Sequence, residues 1–117
     1  MKKKVLIVDD EIELCDLLAF QLEDEGYSVE QAYSYHEAVD KFAKVLPDIV
    51  LSDMRMPGGS GVDLFKYLKS NFGTDSHQFY LISGFISMEE KELVNIGIQA
   101  IIKKPMRFQD LLSHLQA

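Results

Sequence analysis

Four short apolar runs each give way to polar side chains at their C-terminal end, and this recurrence constrains the chain more than any other feature. Val5-Leu6-Ile7-Val8 leads into Asp9-Asp10, Ile49-Val50-Leu51 towards Asp53, Tyr80-Leu81-Ile82 into Ser83, and Ala100-Ile101-Ile102 into Lys103-Lys104. Runs without polar alternation read as strands covered on both faces, as in a parallel sheet flanked by helices. Parallel strands align their C-terminal ends along one edge, where open α/β sheets bind ligands. Three carboxylates, a hydroxyl and an ammonium would converge there from distant parts of the sequence. Such a set suits a hard cation and a phosphoryl group.

Helical patterns separate the runs. The first predicted helix spans about Glu11 to Glu25, with Leu14, Leu18 and Leu22 on one stripe beside Leu17 and Gly26 as its stop. Tyr27 to Ala32 reads as a second strand. Ser34 and Glu37 have capping-box spacing, Ala38, Phe42 and Val45 form the next buried stripe, and Pro47 blocks continuation. Met54-Arg55-Met56-Pro57-Gly58-Gly59-Ser60-Gly61 reads as a tight loop, with Ser60 capping a third helix that buries Leu64, Phe65 and Leu68. Asn71 to His77 is a polar turn. Ser87 and Glu90 repeat the capping-box spacing before a fourth helix facing inward at Leu93 and Ile96 and ending at Gly97; Phe108, Leu111, Leu112 and Leu115 stripe a final helix.

The predicted fold is therefore α/β, a flavodoxin-like (βα)5 three-layer sandwich. Right-handed crossovers that cover both sheet faces require one reversal of winding, which the strand order 2-1-3-4-5 supplies. Its switch point falls between strands one and three, where Asp9, Asp10 and Asp53 end their runs.

At 117 residues the chain reads as one domain over 1–117, inside the usual range of roughly 100–150. Twelve Lys and Arg against nineteen Asp and Glu give a net charge of −7, which disfavours nucleic acid and anionic bilayers as partners. The lone Cys15 excludes an internal disulfide or a cysteine-based metal site and reads as a buried thiol in a reducing compartment. No run approaches the roughly 18 apolar residues of a membrane span, so the expected location is cytoplasmic. His36, His77 and His114 have no ligand spacing and receive no role.

Clustered carboxylates repel at neutral pH, and a divalent ion relieves them. Mg²⁺ takes octahedral oxygen coordination from one or two carboxylates, waters and phosphate oxygen, which makes Asp10 and Asp53 the expected direct ligands with Asp9 acting through water. A carboxylate can also attack phosphorus, and Asp53 has the neighbours for it: Lys104 to neutralise charge and the Ser83 hydroxyl to donate to a phosphoryl oxygen, with Gly84 leaving the approach open.

The pieces VLIVDDE, LSDMRMPGGSG, LISG and IIKKP, in that order, resemble the receiver domain of two-component response regulators over essentially the whole chain. Forty-three residues separate Asp10 from Asp53, 30 separate Asp53 from Ser83, and 21 separate Ser83 from Lys104, which fits the same pattern. The resemblance implies that Asp53 accepts a phosphoryl group from a sensor histidine kinase or phosphotransfer protein. Asp9 and Asp10 would hold Mg²⁺ with the Arg55 backbone carbonyl, Ser83 and Lys104 would sense the phosphoryl group, and the Lys104-Pro105 peptide would be cis. The face made by helix four, strand five and helix five would then rearrange to control an output domain or target protein, with the last helix offering a pairing surface for a homodimer. The chain would be a switch, with at most slow self-catalysed phosphorylation and dephosphorylation.

Two positions depart from the family pattern. Ile101 stands where an aromatic often turns inward, and Arg107 stands where a helix cap is expected. Arg55 and Phe85 fall where side chains tune phosphoryl lifetime in the family. The alternative activity is a metal-dependent phosphohydrolase working through an aspartyl-phosphate, but such enzymes place a second acid two residues after the nucleophile, where this chain has Arg55.

Overall fold

Side chains alternate across a strand, and in the three central strands both sides are apolar. In the computed structural model, which describes residues 2–73, 77–84, 92 and 95–116, Val5, Ile7, Ile49, Leu51, Tyr80 and Ile82 enter one core layer. Leu6, Val8, Val50, Phe79 and Leu81 enter the other. The strands are β1 Lys4–Val8, β2 Ser28–Ala32, β3 Ile49–Asp53, β4 Gln78–Ser83 and β5 Ala100–Lys103. They form one parallel sheet in the order β2-β1-β3-β4-β5, the fold and strand order expected from the sequence.

Four helices are described: α1 Ile12–Asp24, α2 Tyr35–Val45, α3 Gly61–Phe72 and a C-terminal helix Phe108–Gln116. Helix α1 and the C-terminal helix cover one face through Cys15, Leu18, Leu22, Leu111 and Leu115, while α2 and α3 cover the other through Ala38, Phe42, Leu64, Phe65 and Leu68. Ser87, Glu90 and Leu93 of the fourth predicted helix lie outside the described residues, as does Phe85 in the loop that follows Ser83 at the end of β4.

Several local expectations shift. Leu14 and Leu17 are about half exposed, and the buried stripe of α1 is Cys15, Leu18, Ala19 and Leu22. With Ile12 and Phe20 also exposed, the helix is apolar nearly all round, so its sequence does not single out one inward face. Ile96, expected inward, is exposed, and Val45 is only half-buried. Ser34 caps α2 by accepting from the Glu37 N–H at 3.2 Å, but the Glu37 carboxylate accepts from the Tyr33 N–H at 3.4 Å instead of closing the box. Ser60 and Asp63 do close a reciprocal box at the start of α3, with both bonds at 3.0 Å. Helix α2 ends on Leu46 in the left-handed region (φ 49°), directly before Pro47.

Candidate functional site

The C-terminal ends of β1 and β3 are neighbours because the sheet reverses its winding between them, with Val8 paired to Ser52. One carboxylate oxygen from each of Asp9, Asp10 and Asp53 lies within 4.8 Å of the others. Asp53 closes β3 and is 8% exposed, whereas Asp10 is open to solvent. Asp9 is held by its own turn: its Oδ1 accepts from the Glu11 N–H at 2.9 Å, and its N–H donates to the Ala32 carbonyl at 3.0 Å. Burial pushes the Asp9 carboxyl above the ordinary carboxylate value, and the Asp53 charge pushes the same way; the Glu11 N–H and Lys104 work against them.

Register delivers the remaining groups. Ser83 pairs with Lys103 across β4 and β5, and the Lys104 N–H donates to the Ser83 carbonyl at 2.7 Å. Lys104 then extends its ammonium to 3.2 Å from Asp53 Oδ1, an oxygen that also accepts from the Met54 N–H at 2.8 Å. Lys103, one pleat earlier, is solvent-exposed. The Lys104-Pro105 peptide is cis. Asp10, Glu11, Asp53, Met54, Arg55, Ser83, Gly84 and Lys104 line an open cavity of about 580 Å³, so the six residues singled out from the sequence are either in this wall or, for Asp9, in the carboxylate cluster beside it.

The loop after Asp53 needs a glycine where it turns into α3. A Cβ on Gly61 would collide with the Asp53 carbonyl oxygen and lie 3.0 Å from Leu81 Cδ1. Only a bare backbone lets α3 start this close to the end of β3. The Gly61 N–H donates to the Met54 carbonyl at 2.8 Å, closing the loop on itself.

Ile101 is half-buried against the α2/α3 layer, an aliphatic packing residue at the position where the family pattern often has an aromatic. Arg107 is 86% exposed and pairs with Asp110 at 3.5 Å on the first turn of the C-terminal helix. Two features were missed in the sequence. Glu11 supplies the N–H that orients Asp9 and lines the cavity, and its place in the run Asp9-Asp10-Glu11 was the available signal. A second groove of about 560 Å³ adjoins the first, sharing Glu11 and Lys104 and walled by Leu14, Leu17, Leu18, Pro105, Met106 and Phe108.

This arrangement has the chemistry of a hard-cation and phosphoryl site: convergent carboxylate oxygens, one buried carboxylate facing a cation, and an open approach. Three oxygens so close, with one ammonium among them, leave excess negative charge that a divalent ion would neutralise. Residues 5–116 match the model of the response regulator receiver domain family. The chemotaxis response regulator CheY4 of Vibrio cholerae superposes with a TM-score of 0.89 at 30% identity, covering 99% of this chain and 98% of that one. A CheY-like receiver domain protein of Methanospirillum hungatei gives 0.90 at 29%, over 99% and 92% of the two chains. The non-phosphorylated receiver domain of HemR from Leptospira biflexa gives 0.89 at 28%, over 98% and 92%. Strand order, site chemistry and family match agree, and the chain belongs to the response regulator receiver domains of two-component signalling.

Proposed function

We propose that Asp53 accepts a phosphoryl group from the histidine of a sensor kinase or phosphotransfer protein in a Mg²⁺-dependent reaction. In the step, the P–N bond to the donor imidazole breaks, a P–O bond forms to an Asp53 carboxylate oxygen, and the departing imidazole nitrogen takes a proton from water. The observation that carries the reading is the buried Asp53 carboxylate, 3.2 Å from the Lys104 ammonium and within 4.8 Å of two further carboxylates. Asp9, Asp10, Asp53 and the Arg55 carbonyl are the groups that would hold Mg²⁺, which supplies charge neutralisation for the transferring oxygens. Lys104 adds a flexible point charge, and Ser83 donates its hydroxyl to a phosphoryl oxygen. Once the anion is in place, both side chains gain a partner that exists only in the modified state. That differential contact shifts the population between conformers and alters the face around β5 and the C-terminal helix, which controls an output domain or target.

The apolar groove beside the acid cavity supports the same assignment of partner. It adjoins the Asp53 approach, sharing Glu11 and Lys104 with it, and α1 lines it with the exposed Leu14 and Leu17 beside the acidic Glu11. A donor helix with an apolar stripe and basic flanks would seat there with its histidine over Asp53. The reaction belongs in the cytoplasm, where kinase and Mg²⁺ meet, and no helix among the described residues is long and apolar enough to cross a membrane.

The test is phosphorylation by acetyl phosphate with and without Mg²⁺, read by intact mass. One phosphoryl group per chain is expected with the metal, and none in Asp53→Asn. Labelling that survives in Asp53→Asn overturns the acceptor assignment. Multiple-turnover phosphate release from a simple phosphate ester would favour the hydrolase instead.

A further inference from the structure

We propose that Tyr35 is a positioning residue for the metal-holding loop: its ring and backbone fix the segment from Met54 to Gly61, and through it the Arg55 carbonyl. The inference rests on the proposed role of that carbonyl as a Mg²⁺ ligand. Tyr35 opens α2, directly after β2, and belongs to neither the carboxylate cluster nor the cavity wall. Its N–H nevertheless donates to the Pro57 carbonyl at 3.2 Å. Its ring lies so close under Gly59 that a Cβ there would fall 2.8 Å from Tyr35 Cδ2 and 3.2 Å from Cγ. Gly58, at φ +88°, would bring a Cβ to 3.3 Å from His36 Cδ2. Tyr67 of α3 meets the Tyr35 ring edge-on, with centroids 6.4 Å apart.

Arg55 therefore sits between two tethers. Upstream, the Met54 N–H donates to the Ile82 carbonyl at 3.0 Å, and the Met54 carbonyl accepts from Gly61 at 2.8 Å. Downstream, Pro57 is held by Tyr35. The short span between these points leaves the Arg55 carbonyl little freedom. Gly58 and Gly59 are the residues with the widest backbone choice, so a bare Gly-Gly stretch needs an external surface to stay in one conformation. The Tyr35 ring is that surface.

The test is calorimetric Mg²⁺ titration of the full chain, together with amide hydrogen exchange across Met54–Gly61 in EDTA. Tyr35→Phe keeps the ring and binds Mg²⁺ like the parent. Tyr35→Ala weakens Mg²⁺ binding about tenfold, the size expected for an outer partner of a metal ligand, and speeds exchange in the loop before any metal is added. Saturating Mg²⁺ returns acetyl phosphate labelling of Tyr35→Ala to the parental extent. If Tyr35→Ala does not fold, Gly59→Ala reports instead, because its new methyl displaces the ring; in a Tyr35→Phe background it has the same effect. Parental Mg²⁺ affinity with parental loop exchange in Tyr35→Ala or Gly59→Ala overturns the clamp, as does Tyr35→Phe behaving like Tyr35→Ala. Absence of Mg²⁺ binding by the parent protein sinks the proposed Mg²⁺-dependent phosphoryl transfer instead, while loop exchange still decides whether Tyr35 holds the segment.

Discussion

Neutralising Asp9 without changing its shape should stabilise the metal-free protein. In Asp9→Asn the side-chain oxygen can still accept from the Glu11 N–H, now 2.9 Å away, so the substitution removes charge and little else. What it relieves is the cost of holding a half-buried carboxylate beside Asp53, the two largest of the effects that raise the Asp9 pKa, with a smaller one from Glu11. For oxygens at the 4.8 Å limit of the cluster, Coulomb's law gives about 3.5 kcal/mol at an effective dielectric of about 20 and about 0.9 kcal/mol in bulk water. The site is open, so the lower figure governs, and loss of the attraction to Lys104 offsets part of the desolvation gain. The net expectation is about 1 kcal/mol. At about 2.1 cal/mol/K of unfolding entropy per residue, that raises the Tm of this 117-residue chain by about 4 °C.

The pH dependence follows from the direction of the shift. A carboxyl whose native pKa lies above its unfolded value of 3.8 makes the native state bind more protons in that interval, so its ionisation penalises folding at neutral pH. The advantage of Asp9→Asn is then full at pH 7 and fades as pH falls through the native pKa towards 3.8. Thermal melts in EDTA across that range measure it. With Mg²⁺ the order is expected to reverse: a parent at 100 times its Kd gains about 2.7 kcal/mol by mass action, whereas Asp9→Asn lacks one of the carboxylates proposed to hold the ion. A metal-free Asp9→Asn that melts at or below the parent at pH 7 refutes the reasoning.

Gly61→Ala should cost about 1–3 kcal/mol, because its methyl collides with the Asp53 carbonyl and presses on Leu81; denaturant melts read the loss, and an unchanged midpoint would contradict the close approach of α3. His77 is buried against Phe42, at 4.8 Å between ring centroids, and burial lowers its pKa below the ordinary 6.5. Between those values the unfolded chain binds a proton that the native chain refuses, so stability falls as pH drops below about 6.5. Urea midpoints at pH 7.5 and 5.5 should differ less in His77→Leu than in the parent; equal differences would reject it. Phe65→Ala, which empties a fully buried site facing Phe79 at 5.3 Å, should lose about 3–5 kcal/mol by the same melts.

The site was legible because each functional side chain follows an apolar run, and the pleat and the parallel order leave those chain ends nowhere but one edge of the sheet. Helix α1 was not legible in the same way. Leu14 and Leu17 looked like core, but small Cys15 and Ala19 take the inward positions, and the larger side chains wall a groove. A helix whose apolar side chains spread nearly all round has too weak a periodic signal to choose between those arrangements. Ser34 and Glu37 had capping-box spacing, yet the carboxylate reached the Tyr33 N–H, a difference of one residue that depends on how the chain enters α2.

Sequence alone determined the alternation of strands and helices, the reversal that places Asp9, Asp10 and Asp53 together, and the charge types at the sheet edge. These follow from hydrophobic period and chain order, which are local quantities. Only the tertiary structure decided that Lys104 closes to 3.2 Å on Asp53 while Lys103 faces solvent, that Gly61 must lack a side chain, and that Tyr35 lies under the loop carrying Arg55. Those facts depend on distances between segments far apart in the chain, and such distances exist only once the layers have packed.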